Sequence, residues 1–198
     1  PPLLELPTDK PRPPVASGAG GNVPFALSAH TAAALRDLAA QAEGTLFMAL
    51  LAAFALALGR YARAEDVVIG TPAAGRDLPE LAGLVGYFVN PVALRTDLSG
   101  SPSFRDLVHR ARKAVTGALT HVDAPFLSVV EAVGARRGGG SPPIFNTMLV
   151  LQDGAFMPAV ALGEGTPVTP VKIDMDAAAF DLTLDVAERA DGSLAGHI

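Results

Sequence analysis

Four histidines, His30, His109, His121 and His197, are the side chains in this sequence best suited to acid–base or metal chemistry. None falls in a His-Glu-x-x-His or His-x-His spacing, so a zinc site has little support. His30 and His109 fall on the outer faces of expected helices. His121 and Asp123 are close enough in the chain for the carboxylate to orient the imidazole. The same pair reads more readily as a polar turn between helices. Gly70 to Gly75 has the glycine spacing of a phosphate loop, but Arg76 and Asp77 stand where a lysine and a hydroxyl are needed. Without them the phosphate contact and the Mg²⁺ ligand are lost, and the run reads as a glycine-rich strand-to-helix loop. No Gly-x-Ser-x-Gly run is present, so no nucleophile elbow is indicated. No constellation in the chain is catalytically complete by residue type alone.

The elements that would position these groups follow from hydrophobic spacing. Residues 1–22 are rich in proline and glycine and read as a linker. Val23, Phe25 and Leu27 alternate as a short edge strand. Ser28 is placed to cap a helix carrying Leu35, Leu38, Ala39 and Ala42, with Gly44 to stop it and Thr45 to cap the next. That next helix, about 46–61, is apolar on nearly every face and must be buried on several sides. Val67 to Ile69 form a buried strand, followed by the Gly70–Arg76 loop and a helical turn over 78–84. A strand is expected over 88–96. Ser101 and Pro102 open a third helix with Phe104, Leu107, Val108, Ala111 and Val115 on its apolar stripe. A shorter helix runs from Pro125 to Val133, and a strand from Ile144 to Leu151. Residues 153–167 read as irregular. Two alternating strands carry Val171, Ile173 and Met175, then Phe180, Leu182, Leu184 and Val186. Asp191-Gly192 marks a hairpin before a last strand from Leu194. Interleaved strands and helices without strict alternation predict an α/β sandwich with a mixed sheet.

Composition narrows the function classes. The 198 residues carry a formal net charge of −5, and the only adjacent basic pair, Arg136-Arg137, adjoins three glycines. That balance argues against nucleic-acid binding. The longest apolar run, Leu46 to Leu58, is shorter than the roughly 20 residues a bilayer span needs, so no membrane partner is expected. The lack of cysteine suits a reducing cytoplasm.

Longer runs carry a resemblance. Val85-Gly86-Tyr87-Phe88-Val89-Asn90-Pro91-Val92-Ala93-Leu94-Arg95 resembles the Ile-Gly-x-Phe-Val-Asn-Thr-x-x-Leu-Arg motif of condensation domains of non-ribosomal peptide synthetases, with Pro91 in place of Thr. His121-Val122-Asp123-Ala124-Pro125-Phe126 is similar to their His-Gln-Asp-Tyr-Pro-Phe motif. Arg136 to Phe145 resembles their Arg-Asp-x-Ser-Arg-x-Pro-Leu-Phe motif, and Leu6 to Pro13 resembles the segment joining the family's two lobes. The four matches occur in the family's order.

The resemblance implies an α/β lobe of a two-lobed fold similar to chloramphenicol acetyltransferase, with an incomplete end at Ile198. Residues 1–22 would be the interlobe linker and 23–198 the C-terminal lobe. The implied activity is amide-bond formation between aminoacyl or peptidyl thioesters. Donor and acceptor carrier proteins deliver these on phosphopantetheine arms, and the lobe itself binds no cofactor. The family's His-His-x-x-x-Asp-Gly motif belongs to the N-terminal lobe, and no such run occurs here, so no catalytic residue is assigned to this chain. By resemblance Gly75, Arg76, Tyr87, Phe88 and Asn90 line the substrate tunnel, and His121 and Asp123 give polar support. The Asn90 amide has donors and an acceptor for either substrate or backbone. Residues 153–167 would reach toward the other lobe. Other readings of the same resemblance are an epimerisation domain or a free-standing acyltransferase. A non-catalytic lobe that recruits carrier proteins or a tailoring enzyme is a further one.

Overall fold

Val67 and Ile69 point to one side of their strand and Gly70 to the other, and the fold is organised around that division. A computed structural model describes residues 3–13, 15–76, 78–81, 83–135, 142–152 and 176–198. Among them a six-stranded sheet has the order β1-β6-β5-β4-β2-β3, with β1 Pro24–Leu27, β2 Asp66–Ala73, β3 Asn90–Asp97, β4 Thr147–Gln152, β5 Leu182–Glu188 and β6 Leu194–His197. β2, β4 and β5 run parallel, while β1–β6, β5–β6 and β2–β3 are antiparallel. The sheet is mixed, as the interleaved pattern predicts. The expected strand at 171–175 and the irregular 153–167 segment lie outside the described residues.

Helices α1 Ala29–Gln41, α2 Leu46–Ala62 and α3 Phe104–Leu119 contribute to the main core against one sheet face. α2 is its centre: Ala49, Leu51, Ala52 and Ala55 are completely buried. Its all-round apolarity is therefore satisfied by neighbours on several sides, and no single described helix is long and apolar enough to cross a membrane. The caps differ in detail from expectation. α1 ends in a left-handed residue at Glu43, not Gly44. Gly44 instead donates its N–H to Ala39 O at 2.8 Å, and a Cβ there would meet Met48 and Val108 at ordinary contact distance. α3 starts two residues later than Ser101-Pro102 predicts, because Ser103 and Asp106 form a reciprocal capping box. The turn expected over 78–84 tightens to a single 3-10 turn at Pro79–Leu81.

A second, smaller cluster lies on the opposite face. Phe145 is buried, with ring centroids 5.4 Å from Phe126 and 5.6 Å from Phe180. Phe126 opens α4, Phe126–Ala132, whose Val130 is also buried. A Cβ at Gly70 would lie inside the Phe145 ring's contact distance, so the strand needs glycine there to admit the ring.

The proline-rich N-terminal stretch is tied to the rest of the fold. Leu4 is buried in the main core and Leu6 packs on it. Arg12 makes a two-pronged ion pair with Asp181, at 2.8 and 2.7 Å. Asn146 donates its amide to Leu4 O at 2.8 Å and to Asp181 at 2.6 Å. Further on, Gly20 donates to Asp176 O and Val23 to Ile198 O. Proline removes helix as an option here, and these fixed contacts replace it.

Burial raises the Asp181 pKa, but the hydrogen bonds from Arg12 and Asn146 more than offset it and hold the carboxyl below its usual range. A carboxylate with a depressed folded-state pKa stabilises the fold above its unfolded value and loses that contribution as pH falls through the folded one. Asp181→Asn should therefore be less stable than the parent at neutral pH. The gap should close on acidification below about pH 4, the ordinary aspartate value. Melting curves of both proteins across that range check this; parallel curves contradict it.

Candidate functional site

Because β2 and β3 pair from Asp66↔Asp97 to Ala73↔Asn90, the last residues of β2 and the first of β3 meet at one end of the sheet. The chain leaving β2 turns at Gly75, which adopts φ +63, and a side chain there would collide with the Phe88 carbonyl. Both constraints demand glycine. Phosphate binding has no part in the explanation.

Arg76 then ties together the described part of the connection. Its guanidinium donates to the carbonyls of Leu81, of Leu84 at 2.9 Å and of Gly86 at 3.3 Å, and lies 4.4 Å over the Phe88 ring. Fixed donors and a stacked plane suit arginine and not lysine. The loop so held turns its apolar side chains outward: Leu84 and Val85 are exposed, and Tyr87 is 84% exposed. Leu78, at the other end of the same connection, is exposed too.

Asn90 joins two of the sequence motifs. Its Nδ2 donates to Val122 O at 2.8 Å and Ala124 O at 2.9 Å, and its Oδ1 accepts from Phe126 N–H at 3.1 Å. The Phe126 N–H is one of the donors that a helix start leaves unpaired, and Pro125 offers it no side-chain cap. Asn90 therefore caps α4 from another element and fixes the 122–126 turn against the sheet. Of the two readings of its amide, backbone and substrate, the structure displays the backbone one. Losing these bonds should cost about 1–2 kcal/mol, since the carbonyls regain water but the capped N–H is part-buried. We expect Asn90→Ala to melt a few degrees lower. An unchanged melting temperature with depressed turnover would place the amide on the substrate instead.

His121 and Asp123 are both exposed on that turn, and no hydrogen bond joins their side chains. Arg95, the end of the longest motif, pairs with Asp66 at 2.7 Å across the far part of the β2–β3 ladder. The structure thus brings Gly75, Arg76, Phe88 and Asn90 into one shell, with Tyr87 on its outside and the His121–Phe126 turn beside it. Among the described residues no group of three His, Asp or Glu is arranged to hold a metal. Sequence reasoning misses the exposed Leu78, Leu84 and Val85. With Leu81 they recur at the spacing of the helical turn expected over 78–84, which hides that they face outward.

A family model described as the condensation domain matches residues 1–198. The chain is 42% identical over 193 residues to a linear gramicidin synthase of Brevibacillus parabrevis, covering 96% of this chain and 4% of that protein. It is 39% identical over 196 residues to phosphinothricin tripeptide synthetase PhsC of Streptomyces viridochromogenes, covering 96% of this chain and 17% of that protein. The crystal structure of the X-domain from teicoplanin biosynthesis superposes with a TM-score of 0.87 at 28% identity, covering 98% of this chain and 44% of that one. The first condensation domain of the CDA synthetase gives 0.69 at 19% identity, covering 90% of this chain and 38% of that one, and shares the fold. The chain spans less than half the length of these structures and a small fraction of the two synthetases.

Proposed function

The chain belongs to the condensation-domain family found in non-ribosomal peptide synthetases, and from that premise we propose that it is the second of two lobes around a tunnel where amide bonds form. In that reaction the lone pair of an acceptor amine attacks the donor thioester carbonyl. The C–N bond forms, the C–S bond breaks, the phosphopantetheine thiol leaves, and the amine gives up a proton to a base. Both thioesters arrive on carrier proteins. This sequence has no His-His-x-x-x-Asp-Gly run, so the reading gives base and positioning histidine to the first lobe. This lobe then contributes wall and floor: Gly75 and Arg76 shape the loop, Tyr87 and Phe88 face the channel, and Asn90 holds the adjoining turn. His121 and Asp123 are polar groups at its margin.

The observation that carries this reading is the Arg76-pinned loop, whose Leu84, Val85 and Tyr87 are left exposed by the described residues. In a two-lobed domain, Arg76→Ala should lower amide formation at least tenfold. The guanidinium's bonds lie in an accessible loop, so stability should move little, by about 1 kcal/mol or less. Unchanged turnover would remove the loop from the tunnel.

A second reading is a docking lobe without chemistry of its own. It is favoured by the likeness to the X-domain, which also occurs in a complex with OxyB from teicoplanin biosynthesis. Amide formation by the two-lobed parent would exclude it.

A further inference from the structure

An apolar cavity of about 230 Å³ lies between the helices and the end of the sheet, beside the Asn90 shell. Its walls come from both layers: Phe47 of α2, Val115 and Ala118 of α3, and Ala73, Val92 and Leu151 of β2, β3 and β4. Among the described residues, Thr71 is the only lining side chain with a polar atom. Ala73 is paired with Asn90 in the ladder, so the cavity opens at the same end of the sheet as the candidate site. Ala73 and Ala118 carry the smallest side chains among its described lining residues.

Water within it finds few polar side-chain partners, and enclosed apolar cavities of about 150 Å³ accept benzene. This one is larger and opens to solvent. We propose that it is a binding pocket for an uncharged hydrocarbon group, an aliphatic or single-ring aromatic side chain of the acyl substrate handled at the adjacent sheet end. The substrate assignment rests on the acyl-transfer reading; the pocket itself does not. A charged or strongly polar side chain would lose its hydration there, where Thr71 alone among the described lining residues has a polar side-chain atom. The lobe would then select for apolar substituents of limited size, with Ala73 and Ala118 setting the limit.

Benzene is the probe for the pocket. In the 198-residue chain it should shift the methyl resonances of Val92, Val115 and Leu151, leave those of Val186 and Leu194 in place, and raise the melting temperature as any ligand of the folded state does. Ala118→Leu and, separately, Ala73→Leu should weaken that response at least tenfold, while the variants melt no lower than the parent. With two positions, a leucine that fits badly at one leaves the other to decide. Shifts spread evenly over all core methyls, or an undiminished response in both folded variants, overturn the pocket. The substrate assignment is read separately, in the two-lobed domain. There, Ala118→Leu should slow a phenylalanyl or leucyl substrate at least tenfold more than a glycyl one. Equal slowing overturns the assignment. If the parent forms no amide with any substrate, the reaction reading falls and takes the assignment with it, while the benzene result still decides the pocket.

Discussion

Leu51→Asp is expected to unfold this protein or lower its stability by about 3–5 kcal/mol, an effect reserved for unpaired charge in a core. Leu51 is 0% exposed at the middle of α2. Ala49, Ala52 and Ala55 around it are equally inaccessible, and the cluster they join is built from apolar side chains. An aspartate there must either remain charged without a partner or take up a proton, and it also forfeits the leucine's own burial, worth about 2 kcal/mol. Tyr61→Asp on the same helix is the control. That side chain is 72% exposed, so the change should stay within roughly 0.5 kcal/mol. Urea midpoints of both variants check the contrast. Similar midpoints would mean that α2 is not the core helix.

The fold is legible in the sequence wherever one local signal dominates. The all-round apolarity of 46–61 can only mean a buried helix, and the alternation of Leu182, Leu184 and Val186 can only mean a half-buried strand. At Asp191-Gly192 the carboxylate accepts from Ser193 and Gly192 takes a positive φ, as a turn of that composition requires. Element ends are less legible, because they are set by which of several adjacent polar residues wins the cap. Ser103 has Asp106 three residues on; Ser101 does not have such a partner.

The site is legible as a set of positions, through the resemblance, and much less as a set of roles. A glycine in sequence does not say which constraint demands it. Gly70 answers to the Phe145 ring and Gly75 to the Phe88 carbonyl, contacts that only the folded chain creates. Arg76 stands where a phosphate loop needs lysine, yet its partners are carbonyls up to ten residues away. Asn90 reaches more than thirty residues along the chain to cap α4. Nothing in local spacing encodes such a bond. It becomes visible only when two motifs of the same family are seen to need a common anchor. The 1–22 stretch shows the converse: its proline content rules out helix but gives no hint that Leu4 reaches the core.

On the proposed function, this lobe shapes a tunnel and leaves proton transfer to its partner lobe. Aligning an amine with a thioester and removing its proton both require groups within hydrogen-bond reach of the reacting atoms, and together they account for many orders of magnitude in rate. The shell of Gly75, Arg76, Phe88 and Asn90 spends its hydrogen bonds on its own backbone and offers no side chain arranged as a base. The chain alone should therefore form no amide from two loaded carrier proteins above the uncatalysed rate, a loss of at least about 10³-fold relative to the two-lobed domain. Mass-spectrometric detection of the carrier-bound amide is the direct measurement, made with this chain alone and with the histidine-bearing lobe added in trans. Product only when both lobes are present is the predicted result. Product from this chain alone would contradict it and place the base within this lobe.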